Sequence, residues 1–168
     1  MIIIIETGRL YLRELKTDDK KELAKVLSDP ESMKFYPHPF SEEEVESWIR
    51  WNINNYKEYR HGLWAVIRKE DDLFLGDCGI TMQDIDDETV PEIGFHIIKE
   101  YCNKGYATEA ALACKEYAFN VLQYPKIFSY TTERNVPSQK VAQKIGLQLY
   151  KYFEKNGEKQ IAQTADRD

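Results

Sequence analysis

The chain carries two apolar rhythms, one of strands and one of helices. Ile2 to Ile5 is a β-branched run, and Arg9-Leu10-Tyr11-Leu12-Arg13 alternates polar with apolar, as a half-buried strand does. Thr17-Asp18-Asp19 reads as an N-cap with acidic first-turn residues. Leu23, Ala24, Val26 and Leu27 follow at helical spacing until Asp29-Pro30 stops them. Ser41 with Glu44 forms a capping box that opens a helix with Val45, Trp48, Ile49 and Ile53 on one face. Leu63 to Ile67 and Leu73 to Met82 predict two strands joined by a charged turn, and Gln83 to Thr89 reads as a polar, acidic loop. Glu92 to Ile98 predicts a strand, Gly105 to Leu122 a helix and Lys126 to Thr132 a strand. Pro137 to Ile145 predicts a short helix ended by Gly146, and Leu147 to Phe153 a further strand. The order is β-α-α-β-β-β-α-β-α-β, which predicts one mixed α/β domain over residues 1–168, without repeats or linkers.

Composition narrows the function classes. A length of 168 residues suits one domain with its own core. The net charge of -6 provides no general attraction for nucleic acid or anionic membrane. An anionic ligand therefore needs a local device, while an acidic surface suits a cationic amine or a basic protein as well as plain solubility. Cys78, Cys102 and Cys114 are odd in number and lack metal-ligand spacing. A disulfide framework and a metal site are not expected, and a reducing cytoplasm is. The start lacks a basic n-region and a small-residue cleavage site, so it reads as a strand and not a signal peptide. No apolar run is long enough to span a bilayer. A homodimer stays open.

The segment Glu92 to Ala111 carries the chemistry. A strand ends near Ile98, and a helix begins close to Gly105 after Asn103-Lys104. Gly105 and Ala107 remove bulk where the backbone turns into the helix. The first-turn N–H groups and the positive end of the helix dipole then make an anion site, with Lys104 beside it. Alone, such a turn is common. It lacks the Gly-Lys-Ser/Thr order of a Walker A loop and the Gly-x-Gly-x-x-Gly of a dinucleotide site.

Order adds what the single motif lacks. Glu6 to Arg13, Leu63-Trp64-Ala65-Val66, Leu75 to Ile80, Glu92-Ile93-Gly94-Phe95, Asn103 to Ala110 and Asn135 to Leu147 occur in one succession. Together they resemble the GNAT superfamily of N-acetyltransferases, in particular the ribosomal-protein N-terminal acetyltransferase branch, over roughly residues 6 to 155. The resemblance implies a mixed, mostly antiparallel sheet of six to seven strands flanked by about four helices, with two central strands splayed. It implies acetyl-CoA as cosubstrate and an acetyl acceptor that is a primary amine, on a protein N-terminus or a small molecule. Pantetheine would lie in the splay and pair with backbone at His96, Ile97 and Ile98. Pyrophosphate would sit on Asn103, Lys104, Gly105, Tyr106, Ala107 and Thr108. Asn135 matches a position that holds the pantetheine arm, and it also suits a helix cap. Cys102 departs from the Gln or Arg that usually opens the phosphate motif.

The resemblance also assigns the chemistry. Glu92 would take the proton of an ammonium whose pKa is about 8 for an α-amine or about 10.4 for lysine; a purely structural carboxylate is the alternative. His96 shares its strand face and can be reached. A backbone N–H near His96 or Ile97 would polarise the carbonyl. Many relatives place a tyrosine acid where this chain has Ala142, and Ser138 is the fallback donor, unless it only caps its helix. Aromatics at Phe35, Tyr36, Trp48, Trp51, Tyr56 and Tyr59 would wall the acceptor pocket or fill the core. The tail from Gln160 is polar where relatives have an apolar last strand, so that strand is expected short, frayed or absent. Two other classes compete: a catalytically weak acyl-CoA-binding module, and a nucleotide-phosphate-binding protein using the same helix terminus.

Overall fold

The computed structural model describes residues 1–168. Its strands are β1 (Ile5–Glu6), β2 (Leu10–Glu14), β3 (Leu63–Arg68), β4 (Leu73–Ile85), β5 (Glu88–Ile97), β6 (Lys126–Thr132), β7 (Gln148–Lys155) and β8 (Glu158–Asp166). Its helices are α1 (Lys20–Leu27), α2 (Glu42–Tyr59), α3 (Tyr106–Asn120) and α4 (Val136–Lys144). The strands form one eight-stranded sheet in the order β1-β2-β3-β4-β5-β6-β8-β7. Every neighbouring pair is antiparallel except β5 and β6, which are parallel because α3 crosses between them. No helix is long and apolar enough to cross a membrane.

Side-chain alternation sorts the sheet into two packed faces. On one, Leu10, Leu12, Trp64, Val66, Leu75, Cys78, Ile80 and Ile93 pack with Ala110, Ala111 and Cys114 of α3 and with Ala142 of α4. On the other, Tyr11, Ala65, Ile67, Phe74 and Ile98 pack with Leu23, Val26 and Leu27 of α1 and with Val45 and Ile49 of α2. The capping box holds as expected: Glu44 N–H donates to Ser41 Oγ at 3.2 Å, and Ser41 N–H donates back to Glu44 Oε1 at 2.9 Å.

Four smaller expectations change. The sheet has eight strands, not six to seven. The polar stretch Gln83 to Thr89 is no loop: β4 runs to Ile85 and turns within two residues. Asp86 (φ 50°) and Asp87 (φ 71°) are both left-handed, as the tight hairpin turn that matches strand twist requires. The N-terminal run pairs only from Ile4, whose N–H donates to Leu12 O at 2.8 Å. Thr17 caps no α-helix; Thr17–Asp19 is a 3₁₀ turn, and Asp19 is drawn into a bidentate pair with Arg13 at 2.8 Å on both arms.

The largest correction is the tail, which is neither frayed nor absent. β8 lies inside the sheet between β6 and β7, with Gln160, Ile161, Ala162 and Gln163 buried. Asn156 (φ 54°) and Gly157 (φ 78°) make the β7–β8 turn. The strand is polar because its side chains have hydrogen-bonding work: Gln163 Nε2 donates to Gln139 O at 3.4 Å and Thr164 Oγ1 to Ile127 O at 2.9 Å.

Backbones also approach closely where β3 meets β4. A Cβ on Gly79 would lie 2.0 Å from Gly62 O and 2.8 Å from Leu63 Cα, whereas one on Gly94 would meet only side-chain atoms at 3.6 and 3.7 Å. Gly79→Ala is expected to destabilise the fold by about 3 kcal/mol or more, because backbone must move. Gly94→Ala should change stability by less than about 1 kcal/mol. Urea midpoints of the two variants check the contrast; equal midpoints would contradict it.

Candidate active site

The site grows from one discontinuity in the sheet. β5 and β6 share a single paired position, Glu92 with Phe128. Beyond it the strands diverge, and Tyr130 N–H, which a continuous ladder would pair with backbone, donates instead to Glu92 Oε2 at 3.1 Å. A cavity of about 600 Å³ occupies the divergence. Ile93, Gly94, Phe95 and His96 line it from β5, and Ser129, Tyr130, Thr131 and Thr132 line it from β6. Phe35, Tyr36, Phe40 and Trp48 wall one side; Lys155, Asn156, Glu158 and Gln160 of the last hairpin close the other.

Glu92 and His96 both reach this cavity, as their shared strand face predicts. Glu92 is buried, and loss of water pushes its carboxyl up to about 8, against the opposing pull of the Tyr130 N–H and Lys155. His96 stands opposite Asp77 in the β4–β5 register. Its Nδ1 lies 2.7 Å from Asp77 Oδ1, and its Nε2 lies 2.9 Å from the Tyr36 hydroxyl. Asp77 is fully buried, and its second oxygen accepts the Trp48 indole N–H at 3.0 Å.

Backbone alternation refines which groups face the divergence. Ile98 N–H donates to Leu75 O and Ile98 O accepts from Tyr101 N–H, both at 2.8 Å, so Ile98 has no backbone group free. Pairing with β4 alternates, so the backbone groups of Phe95 and Ile97 point away from it toward β6. Ser129 Oγ donating to Ile93 O at 3.3 Å follows the same parity. His96 meets the cavity with its side chain, while its backbone turns to β4. Thr132 Oγ1, on the β6 side, is buried with no partner.

The turn into α3 lies outside this cavity, past the end of β5. Asn103 (φ 62°) and Gly105 (φ 83°) are both left-handed, and the first backbone bond of α3 is Glu109 N–H to Gly105 O at 3.0 Å. The N–H groups of Tyr106, Ala107 and Thr108 therefore have no partner in the protein, and the turn forms a concavity of free donors. Lys104 is exposed beside it and joins no ion pair. Tyr106 is different: its ring is buried under Arg9, 4.4 Å from the guanidinium carbon, so only its N–H belongs to the concavity.

Glu109 anchors that turn to the first strands. It accepts Thr7 Oγ1–H at 2.6 Å, Arg9 N–H at 2.9 Å and Arg9 Nε–H at 2.7 Å, and Arg9 Nη1 also donates to Lys104 O at 3.0 Å. The Thr7-x-Arg9 and Thr108-Glu109 signatures are thus two halves of one clamp. Asn135 caps α4, its Oδ1 accepting Ser138 N–H at 3.3 Å. Ser138 lines the cavity with its hydroxyl uncommitted. Ala142 is 2% exposed and packed in the core, so no hydroxyl is available there. Of the early aromatics, Tyr56 is core, with its hydroxyl on Leu63 O and Leu15 N–H, while Phe35, Tyr36 and Trp48 line the cavity.

Residue-by-residue inspection of the sequence passes over Asp77, Tyr36 as a partner of His96, and Thr132. Asp77 does carry a signal: it is the one charge within the run Leu73-Phe74-Leu75-Gly76-Asp77-Cys78-Gly79-Ile80. A carboxylate in a strand buried on both faces needs a donor on each side.

The comparisons with known proteins agree with this geometry. The family described as the acetyltransferase (GNAT) domain matches residues 9–148. The chain is 37% identical over 150 residues to the uncharacterized protein YkkB of Bacillus subtilis, covering 89% of this chain and 87% of that one. It is 32% identical over 152 residues to the uncharacterized N-acetyltransferase YnaD of the same organism, covering 90% and 86%. The crystal structure of a GNAT-family acetyltransferase from Bacillus anthracis superposes with a TM-score of 0.82 at 27% identity, over 96% of this chain and 97% of that one. Splayed strands, an open helix N-terminus and a family match across most of the length converge, and the chain belongs to the GNAT acetyltransferase family as an N-acetyltransferase.

Proposed function

We propose that the enzyme transfers the acetyl group of acetyl-CoA directly to a primary amine seated in the aromatic-walled cavity. The observation that carries this reading is Glu92: a carboxyl that burial pushes up to about 8, at the floor of a cavity that opens into the splay between β5 and β6. The pyrophosphate of the coenzyme takes the free N–H groups of Tyr106, Ala107 and Thr108, with Asn103, Lys104 and Gly105 shaping the turn. Pantetheine runs along β5, pairing with Phe95 and Ile97, and the partnerless Thr132 hydroxyl and the Asn135 amide face it from the other side. Ile97 N–H or Phe95 N–H polarises the thioester carbonyl. Glu92 takes a proton from the acceptor ammonium through water in the cavity, and the Ser138 hydroxyl donates a hydrogen bond at the sulfur end. The wall of Phe35, Tyr36, Phe40 and Trp48 favours an amine that carries an apolar or aromatic group, on a small molecule or as the first residue of a peptide. The cytoplasm, where thiols stay reduced, is the compartment this reading implies.

The test is release of coenzyme A thiol from acetyl-CoA in the presence of phenylethylamine, spermidine, free lysine and peptides beginning with Ala, Ser or Phe. Turnover is expected with at least one aromatic or apolar primary amine and with no secondary-amide control. Tight acetyl-CoA binding with no turnover on any amine would favour an acyl-CoA-binding module instead.

A further inference from the structure

Direct acetyl transfer leaves one proton without a carrier. An ammonium becomes an amide by losing two protons, and one buried carboxyl holds one. The position where relatives place a tyrosine acid is Ala142, sealed in the core. Glu92 and His96 are four residues apart on one strand face, about 13 Å along the strand, and both line the one cavity.

We propose that His96, held by Asp77, is the proton shuttle of the transfer: its Nε2 takes the second proton from the attacking amine and returns it to the departing sulfur. This rests on the acetyl-transfer reading above. Asp77 has no exposed surface, and both its oxygens are occupied, by His96 Nδ1 at 2.7 Å and Trp48 Nε1–H at 3.0 Å. With Nδ1–H donating to Asp77 Oδ1, Nε2 is the ring atom left to face the cavity. The Tyr36 O–H donates to that nitrogen at 2.9 Å and marks where an N–H donor from the cavity would sit. The ring plane is fixed by Tyr36 and by the edge of Trp48, with centroids 5.6 and 5.7 Å away. The His96 side chain is 9% exposed, and that surface opens into the cavity. The groups around it are Asp77 from β4, Glu92 from β5, Tyr130 from β6 and Tyr36 from the segment before α2; α2 itself adds only the neutral Trp48 indole. Lys155 of the last hairpin and Arg134, whose guanidinium lies 5.7 Å from the Phe35 ring centroid, also line the cavity.

The protons and bonds balance. The ammonium gives its first proton through cavity water to Glu92, which frees the nitrogen lone pair. That pair forms the C–N bond, the carbonyl π pair moves to oxygen and returns, and the C–S bond breaks with its pair on sulfur. The nitrogen, now cationic, gives its second proton to His96 Nε2. The imidazolium delivers that proton to the thiolate, and Glu92 returns its own to solvent. The products are amide, coenzyme A thiol and one free proton.

The experiment uses the full chain, acetyl-CoA and the best acceptor of the amine panel. His96→Gln and Asp77→Asn should each lower kcat about 100-fold, with the KM for acetyl-CoA within about twofold of wild type. The double variant should be no slower than His96→Gln, because Asp77 acts only through the ring. Nitrogen-15 NMR of the histidines reads the tautomer without turnover: protonated Nδ1 and bare Nε2 in the wild type, and loss of that preference in Asp77→Asn. A wild-type ring protonated at Nε2, or variants with full kcat, overturns the shuttle alone and leaves Glu92 in place. No turnover by the wild type on any amine overturns both readings. If either variant fails to fold, the wild-type tautomer decides.

Discussion

Glu92→Gln is expected to lower kcat about 100-fold while leaving the KM for acetyl-CoA within about twofold. The amide keeps the size of the side chain and the hydrogen bond from Tyr130 but cannot take a proton. The pH dependence is the sharper readout. With the carboxyl pushed up to about 8 by burial, the fraction in the basic form grows roughly tenfold per pH unit below that value and levels off above it. Wild-type kcat/KM should rise with pH and bend near 8, and the variant should lack the bend. Stability follows the opposite sign. A carboxyl whose folded pKa lies above its unfolded value of about 4.3 favours the fold when neutral. Its contribution is fully present below about pH 4 and is lost as pH rises to about 8. Glu92→Gln, always neutral, should gain thermal stability over wild type at pH 9 and not at pH 4. Identical pH profiles of activity for the two proteins would remove Glu92 as the base.

Ending the chain at Gly157 is expected to abolish folding. β8 is an interior strand, and its loss would leave β6 and β7 without the partner they share. It would also remove the buried Gln160, Ile161, Ala162 and Gln163 and one wall of the cavity. Ending at Asp166 removes only the exposed Arg167 and Asp168 and should preserve both circular dichroism and acetyl-CoA binding. A folded, coenzyme-binding protein that stops at Gly157 would contradict the sheet order.

Glu92 and β8 mark the limits of reading the chain without its fold. The helices α2 and α3 and strands β2 to β6 follow from periodicity, because each buries a continuous apolar face and the cap of α2 is spelled out locally. β8 does not, because an interior strand can be polar when its side chains bond to neighbouring backbone, as Gln163 and Thr164 do. The better signal was the turn: Asn156-Gly157 is a tight-hairpin dipeptide, and it demands a strand on each side. Asp86-Asp87 has the same geometry but weaker residue preference, which is why an acidic loop was the natural expectation there. The site divides in the same way. The concavity at Gly105 is local in sequence and legible. Glu92 is legible from the family pattern, although its burial comes from β6 and the last hairpin. The Asp77–His96–Tyr36 chain joins a strand, its neighbour and a distant loop, and only the antiparallel register brings it together.

The Glu109 clamp ties the turn into α3 to the first strands of the chain. Thr7 and Arg9 hold the turn proposed for the pyrophosphate, and they stand beside β1, a two-residue strand at the open edge of the sheet with Met1 and Ile2 exposed. Such an edge opens at small cost. An opening that frees Glu109 would loosen the turn, and on the proposed coenzyme site it would link the edge to the coenzyme. Linkage is reciprocal: on that site the loaded enzyme would hold its first residues more firmly than the empty one, and the order of the N-terminal segment would gauge how much acetyl donor is bound.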